Sequence, residues 1–80
     1  MNSPVDEGSR LNVVLGANGA FGQAILKSLV DRNANVRAMI RKEGSLRMLP
    51  SDKVEIFVGN ILKEEDVRNV LKGATMVYFA

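Results

Sequence analysis

The chain has 80 residues, of which 46% are hydrophobic and 25% are charged, with 11 basic and 9 acidic side chains. This length accommodates one small domain, and the composition excludes a wholly disordered chain. The net charge of +2 is weak and the basic residues are interleaved with acids, which argues against nucleic acid as a partner. No apolar run approaches the ~20 residues that cross a bilayer. We therefore expect a soluble, cytoplasmic chain with no membrane partner.

The residue types that are missing narrow the chemistry. The sequence contains no cysteine and no histidine. Disulfide bonds, thiolate nucleophiles and cysteine-type zinc sites are therefore excluded, and so is hydrolysis by a serine–histidine or cysteine–histidine pair within this chain. The sequence predicts no catalytic residue and no metal ligand.

The first half of the chain has the pattern of a strand, a turn and a helix. Residues 1–10 are polar and are predicted to form a flexible leader. Leu11 to Leu15 is a short apolar run without alternation, which is typical of a strand covered on both faces. After a glycine-rich turn, apolar positions recur with helical spacing. These positions are Gly22, Ile25, Leu26, Leu29 and Val30.

The remaining residues repeat the alternation of strands and helices. Val36 to Ile40 and Val54 to Val58 are predicted strands, and residues 44–49 between them are predicted to form a short helix. Residues 64–73 are predicted to form another helix, because three acids crowd its start, where they complement the helix dipole. Thr75 to Ala80 is the fourth predicted strand.

This order predicts an α/β fold with a parallel sheet, β-α-β-α-β-α-β. With right-handed crossovers the expected strand order is 3-2-1-4, which is the first part of a Rossmann-type fold and makes a half-domain. Met39 and Met76 are predicted to lie in its core.

Three glycines separate the first strand from the first helix. In this GxxGxxG pattern Gly16 permits the turn, Gly19 lets the backbone approach a bulky anion, and Gly22 lets the helix pack closely on the sheet. The exposed N–H groups at the start of the helix would then bind a pyrophosphate. The alternative is that the glycines only close a tight turn. The predicted cofactor-binding residues of this loop are Gly16, Asn18, Gly19, Ala20, Phe21 and Gly22.

The residues at the end of the second strand bear on cofactor choice. NAD-preferring sites place an acid about 20 residues past the glycine loop, on the ribose 2′-hydroxyl. This chain has Arg41 and Lys42 there. A guanidinium binds a 2′-phosphate in a fork and stacks on adenine, so we predict that NADP(H) is preferred and that NAD(H) is also admitted. The alternative is that both side chains are ordinary solvated charges.

Asn60 and Ile61 follow the third strand, at the carboxyl edge where open α/β sheets bind ligands. We predict that the Asn60 amide meets the adenine edge and that Ile61 packs on the ring. An Asx turn or a helix cap is the alternative role for Asn60, and it is compatible with the first.

These residues resemble a known superfamily. Residues 14–22 resemble the opening of the short-chain dehydrogenase/reductase superfamily in its extended and atypical branches. Residues 36–41 are similar to the second strand of NmrA-like NADP-binding proteins, and residues 58–61 resemble their Gly-Asp-Leu segment, with Asn60 in place of the acid. The resemblance covers residues 11–80 and implies the incomplete N-terminal part of an NAD(P)-binding Rossmann domain.

The resemblance also implies what this chain does not carry. The catalytic Tyr-x-x-x-Lys of active members would lie past Ala80, since Tyr78 is the single tyrosine and no lysine follows it. One hypothesis is therefore the N-terminal portion of an NAD(P)-dependent reductase or epimerase, binding the ADP and pyrophosphate part of NADP(H) without catalysis of its own. A second is a non-catalytic redox sensor, NmrA-like, that acts through a protein partner. A third is a remnant that binds nothing and is held together by self-association.

Coverage of the predicted sheet suggests how the chain is completed. Only one predicted helix covers the second face, although the strands are apolar on both sides. The fourth strand would be an exposed apolar edge. We therefore expect self-association or a missing C-terminal half.

Overall fold

The computed structural model describes residues 10–17, 19–41 and 52–80. The elements in chain order are β1 (Asn12–Leu15), α1 (Ala20–Asp31), β2 (Val36–Ile40), β3 (Val54–Val58), α2 (Glu64–Val70) and β4 (Met76–Phe79). The strands are parallel and form one sheet in the order β3-β2-β1-β4. The predicted α/β class and strand order are thus confirmed. The predicted helix over residues 44–49 and nearly all of the predicted leader lie outside the described residues.

β1 is the buried centre of the sheet. Val13 and Val14 are both fully buried, although adjacent strand residues point to opposite faces. Val14 packs in the cluster under α1, and Val13 packs with Leu15 in the cluster under α2. The apolar run without alternation therefore predicted this strand correctly, because helices cover both of its faces.

α1 covers the first face with the predicted stripe. Gly22, Leu26 and Leu29 are buried, and Ile25 and Val30 pack partly buried against the same cluster. The helix passes over β1 and β2 and leaves the edge strand β4 less covered. Met39 is buried as predicted, but the prediction that Met76 lies in the core is wrong, because this residue is 50% exposed at the sheet edge. No helix within the described ranges is long and apolar enough to span a membrane.

The side chain of Arg37 joins three elements on the second face. From β2, its Nη1 donates to the carbonyl oxygens of Val70 and Lys72, each at 2.8 Å. Its Nε donates to Glu55 Oε1 on β3 at 3.0 Å. A cation at these carbonyls satisfies the end of α2 and complements its negative dipole end. Arg37 thereby holds α2 against the sheet, a role that the sequence pattern did not predict.

We expect Arg37→Met to lower the free energy of unfolding by about 1–3 kcal/mol, because hydrogen bonds from a charged group are lost at the partly buried Val70 carbonyl and the exposed Lys72 carbonyl. Chemical denaturation followed by circular dichroism measures the change. Arg68→Met is the matched control, since Arg68 is 67% exposed and pairs only with Glu64 on the same helix. That control should cost about 0.5 kcal/mol or less. Equal losses in the two variants would contradict the assigned role of Arg37.

Candidate functional site

The chain leaves β1 through a turn that requires glycine at position 16. Gly16 has a φ of +77°, which L side chains rarely adopt. A Cβ atom there would also lie 2.9 Å from the carbonyl oxygen of Ala80. The Gly19 N–H donates to the Gly16 carbonyl at 3.1 Å and closes the loop. The fold itself thus accounts for Gly16.

Gly22 is required for a different reason, which is contact between α1 and the loop. The residue is buried in the first turns of the helix. A Cβ atom there would overlap the Gly16 carbonyl oxygen and lie 2.8 Å from the Ala17 Cα. Since these neighbours are backbone atoms, they cannot move aside without moving the loop. Gly22 therefore allows the close approach of helix and sheet that its place in the sequence pattern predicted.

Gly19 differs from both of these glycines. Its backbone is extended, with φ −81° and ψ 173°, a conformation open to any residue. A Cβ atom there would meet only the Gly16 carbonyl oxygen, at an ordinary contact distance of 3.6 Å. The tight turn therefore explains Gly16 and the packing of α1 on the loop explains Gly22, but neither requires glycine at position 19.

The starts of α1 and α2 differ in the charges that they carry. Gly19 caps α1 without a side chain, and the first turn of α1 carries no acid. The N–H groups of Ala20, Phe21 and Gly22 have no acceptor within the helix, because only Gln23 reaches back to the Gly19 carbonyl. α2 has three acids of its own in the first turn. The positive end of α1 is therefore the one that remains available to an external anion.

A cleft of about 180 Å³ lies beside this loop, at the carboxyl edge of the strands. Its surface is mostly apolar, and the exposed Arg41 at the end of β2 contributes a charge. The described residues that line it are Leu15, Gly16, Met39, Ile40, Arg41, Gly59, Ile61, Phe79 and Ala80. Three of the predicted site residues, Gly16, Arg41 and Ile61, thus meet at one cleft, although they come from three separate segments.

Asn60 does not line the cleft. Its Oδ1 accepts a hydrogen bond from the Leu62 N–H at 2.8 Å, which is an Asx turn. Its backbone N–H donates to Asp66 Oδ2 at 2.9 Å. The carboxamide nitrogen and the second lone pair of Oδ1 remain for the predicted adenine contact, which stays a prediction. Asp66, interpreted from the sequence as a dipole partner alone, also fixes the loop that carries Ile61.

The other predicted loop residues divide into two groups. Ala20 and Phe21 are exposed in the first turn of α1, with Phe21 80% exposed, and neither lines the cleft. Asn18 lies outside the described residues. Within the described ranges, no group of three or more potential metal ligands is found.

A family model described as NAD(P)H-binding matches residues 16–80. The chain belongs to this NAD(P)H-binding family. The matched region begins at the first glycine of the loop and includes α1, the cleft and the edge strand β4. The family and the fold together identify a Rossmann-type NAD(P)-binding domain, consistent with the resemblance to the short-chain dehydrogenase/reductase superfamily.

Individual relatives agree with this assignment. The chain is 30% identical over 66 residues to sterol demethylase protein B from Methylococcus capsulatus, covering 82% of this chain and 20% of that protein. A Rossmann-fold NAD(P)-binding family protein from Shigella flexneri superposes with a TM-score of 0.82 at 18% identity. The match covers 90% of this chain and 37% of that protein. A short-chain dehydrogenase from Leptospira borgpetersenii with bound NAD+ superposes with a TM-score of 0.66 at 14% identity. The match covers 90% of this chain and 30% of that protein. The chain thus spans a fifth to about a third of these proteins.

We expect Gly22→Ala and Gly19→Ala to differ sharply in stability. Gly22→Ala forces a methyl group into backbone atoms and should cost about 1–3 kcal/mol or more. Gly19→Ala adds a methyl group where there is room, and because alanine is a poorer N-cap than glycine it should cost about 1 kcal/mol or less. Thermal unfolding of both variants measures the difference. A large loss for Gly19→Ala would mean that the turn alone demands all three glycines.

Proposed function

We propose that this chain binds the ADP and pyrophosphate part of NADP(H), as the N-terminal portion of an NAD(P)-dependent reductase or epimerase. The observation that carries the proposal is Gly19, which the fold does not require and which lies at an uncapped helix start beside the cleft. Residues 11–80 form the cofactor-binding part under this proposal, and catalysis needs residues that this chain does not supply. Membership of an NAD(P)H-binding family supports it.

The pyrophosphate belongs at the start of α1. Its negative charge complements the positive dipole end, where the N–H groups of Ala20, Phe21 and Gly22 lack intrahelical acceptors. No acid occupies the first turn to compete for these donors. The absence of a side chain at Gly19 lets the two phosphates come within hydrogen-bonding distance of the backbone.

The adenosine belongs in the neighbouring cleft. Its walls include Met39, Ile40 and Ile61, which suit the faces of an aromatic base. Arg41 stands exposed at the mouth, at the end of β2. A guanidinium there suits a 2′-phosphate, because it donates two parallel hydrogen bonds to the phosphate oxygens. This supports NADP(H) over NAD(H).

Gly19→Ala should weaken NADPH binding by about tenfold or more while the chain stays folded, because the added methyl group stands between the phosphates and the backbone donors. Isothermal titration calorimetry or NADPH fluorescence measures the change. Ser28→Ala is the control, an equally small change at an exposed position further along α1. Unchanged NADPH affinity in a folded Gly19→Ala variant would exclude the glycine loop as the pyrophosphate site.

Arg41→Ala should reduce NADPH affinity by about 10–100-fold and leave NADH affinity nearly unchanged, since hydrogen bonds to charged groups contribute about 1.5–3 kcal/mol. Titration of both cofactors measures the two effects separately. Arg32→Ala is the matched control. Arg32 is also an exposed arginine, but it caps the C-terminal end of α1, at the opposite end of the strands from the cleft. Equal losses for both cofactors would remove the basis for NADP(H) preference.

A further inference from the structure

The turn between β3 and α2, residues 59–63, forms one wall of the cleft through Gly59 and Ile61. The Gly59 N–H donates to the Ile40 carbonyl on β2 at 2.8 Å, so the start of the turn is fixed by the sheet. Ile61 lies two residues beyond that bond. Its side chain is 36% exposed and belongs to neither core cluster of the described residues, so core packing does not fix it.

The side chain of Asp66 connects this turn to α2. Its Oδ2 accepts a hydrogen bond from the Asn60 N–H at 2.9 Å. Asp66 is the third residue of α2, and the N-cap residue Lys63 makes no side-chain capping bond. The Asp66 carboxylate therefore reaches back beyond the start of the helix, as the acid of a capping box does, and holds the residue directly before Ile61.

Packing at Gly59 brings Asp66 close to the same turn. A Cβ atom at Gly59 would lie 3.3 Å from the Asp66 Cβ, 3.0 Å from the Met39 Cε and 2.9 Å from the Phe57 Cε1. Glycine at this position thus lets the first turn of α2 lie directly against the wall of the cleft. None of these contacts involves β4 or Ala80.

We infer that Asp66 is a positioning residue for the adenine of the cofactor, because it holds, through Asn60, the turn that presents Ile61 to the cleft. Asp66 itself does not line the cleft. A turn that is already fixed avoids the cost of ordering it when the ligand binds, and this saving appears as affinity. The inference rests on the proposed function, since it concerns the same cofactor site.

This role is separate from two others that the neighbouring charges have. Glu65 is also an acid in the first turn of α2, but its side chain is exposed, so it complements the helix dipole without holding the turn. Arg41 is assigned to the 2′-phosphate, which only NADP(H) carries. Adenine is common to both cofactors, so a change at Asp66 is expected to affect NADPH and NADH alike.

Asp66→Ala should weaken the binding of NADPH and of NADH by the same factor of about three to ten, because the turn must then be ordered on binding. Isothermal titration calorimetry with each cofactor measures the two affinities. Asp66→Asn should keep both within about twofold, because its amide oxygen still accepts from the Asn60 N–H. Glu65→Ala is the matched control, which removes an acid from the same helical turn and should leave both affinities unchanged.

A double-mutant cycle with Ile61→Ala separates positioning from a general loss of stability. If Asp66 acts through Ile61, Asp66→Ala should weaken NADPH binding by less than about twofold in the Ile61→Ala background. Its effect on the free energy of unfolding should be the same in both backgrounds. Arg37→Met, which loosens the other end of α2, should lower stability without changing affinity for either cofactor.

Full NADPH affinity in a folded Asp66→Ala variant would overturn the inference. Additive losses with Ile61→Ala would overturn it as well, and so would an equal loss of affinity in Arg37→Met. Gly19→Ala keeps the proposed function separate. If NADPH affinity depends on Gly19 but not on Asp66, only the role of Asp66 is lost, whereas affinity that is independent of Gly19 removes the proposed function too.

Discussion

The backbone contact between the first turns of α1 and the loop at Gly16 is the constraint on which the site depends. Gly22 has no side chain, and the space where one would begin is taken by the Gly16 carbonyl. This contact places the start of α1 directly at the carboxyl edge of β1. The helix dipole and the cleft are brought side by side as a result, so one packing requirement creates the geometry that a dinucleotide uses.

The two described helices differ in the charges at their ends. α2 carries three acids in its first turn, and Arg37 donates to the Val70 and Lys72 carbonyls at its other end. α1 has no acid in its first turn, so none of its own residues there complements its positive dipole end. The start of α1 is therefore consistent with binding an external anion, and the contacts of α2 with a structural role.

The cleft and the edge strand are neighbours. Phe79 and Ala80, at the end of β4, line the cleft beside Gly16. β4 therefore forms one wall of the candidate site.

The sequence by itself determined the four strands, the two described helices, the strand order and the structural roles of Gly16 and Gly22. These follow from local patterns: apolar periodicity, glycine spacing and the alternation of strand and helix. Only the tertiary structure decided that Arg37 closes the end of α2, that Asn60 uses its oxygen in an Asx turn, and that Met76 is exposed. The physical reason is separation along the chain. Arg37 donates to carbonyls more than thirty residues away along the chain. The exposure of Met76 depends on which strands α1 covers. Neither property can therefore be predicted from the neighbouring residues in the sequence.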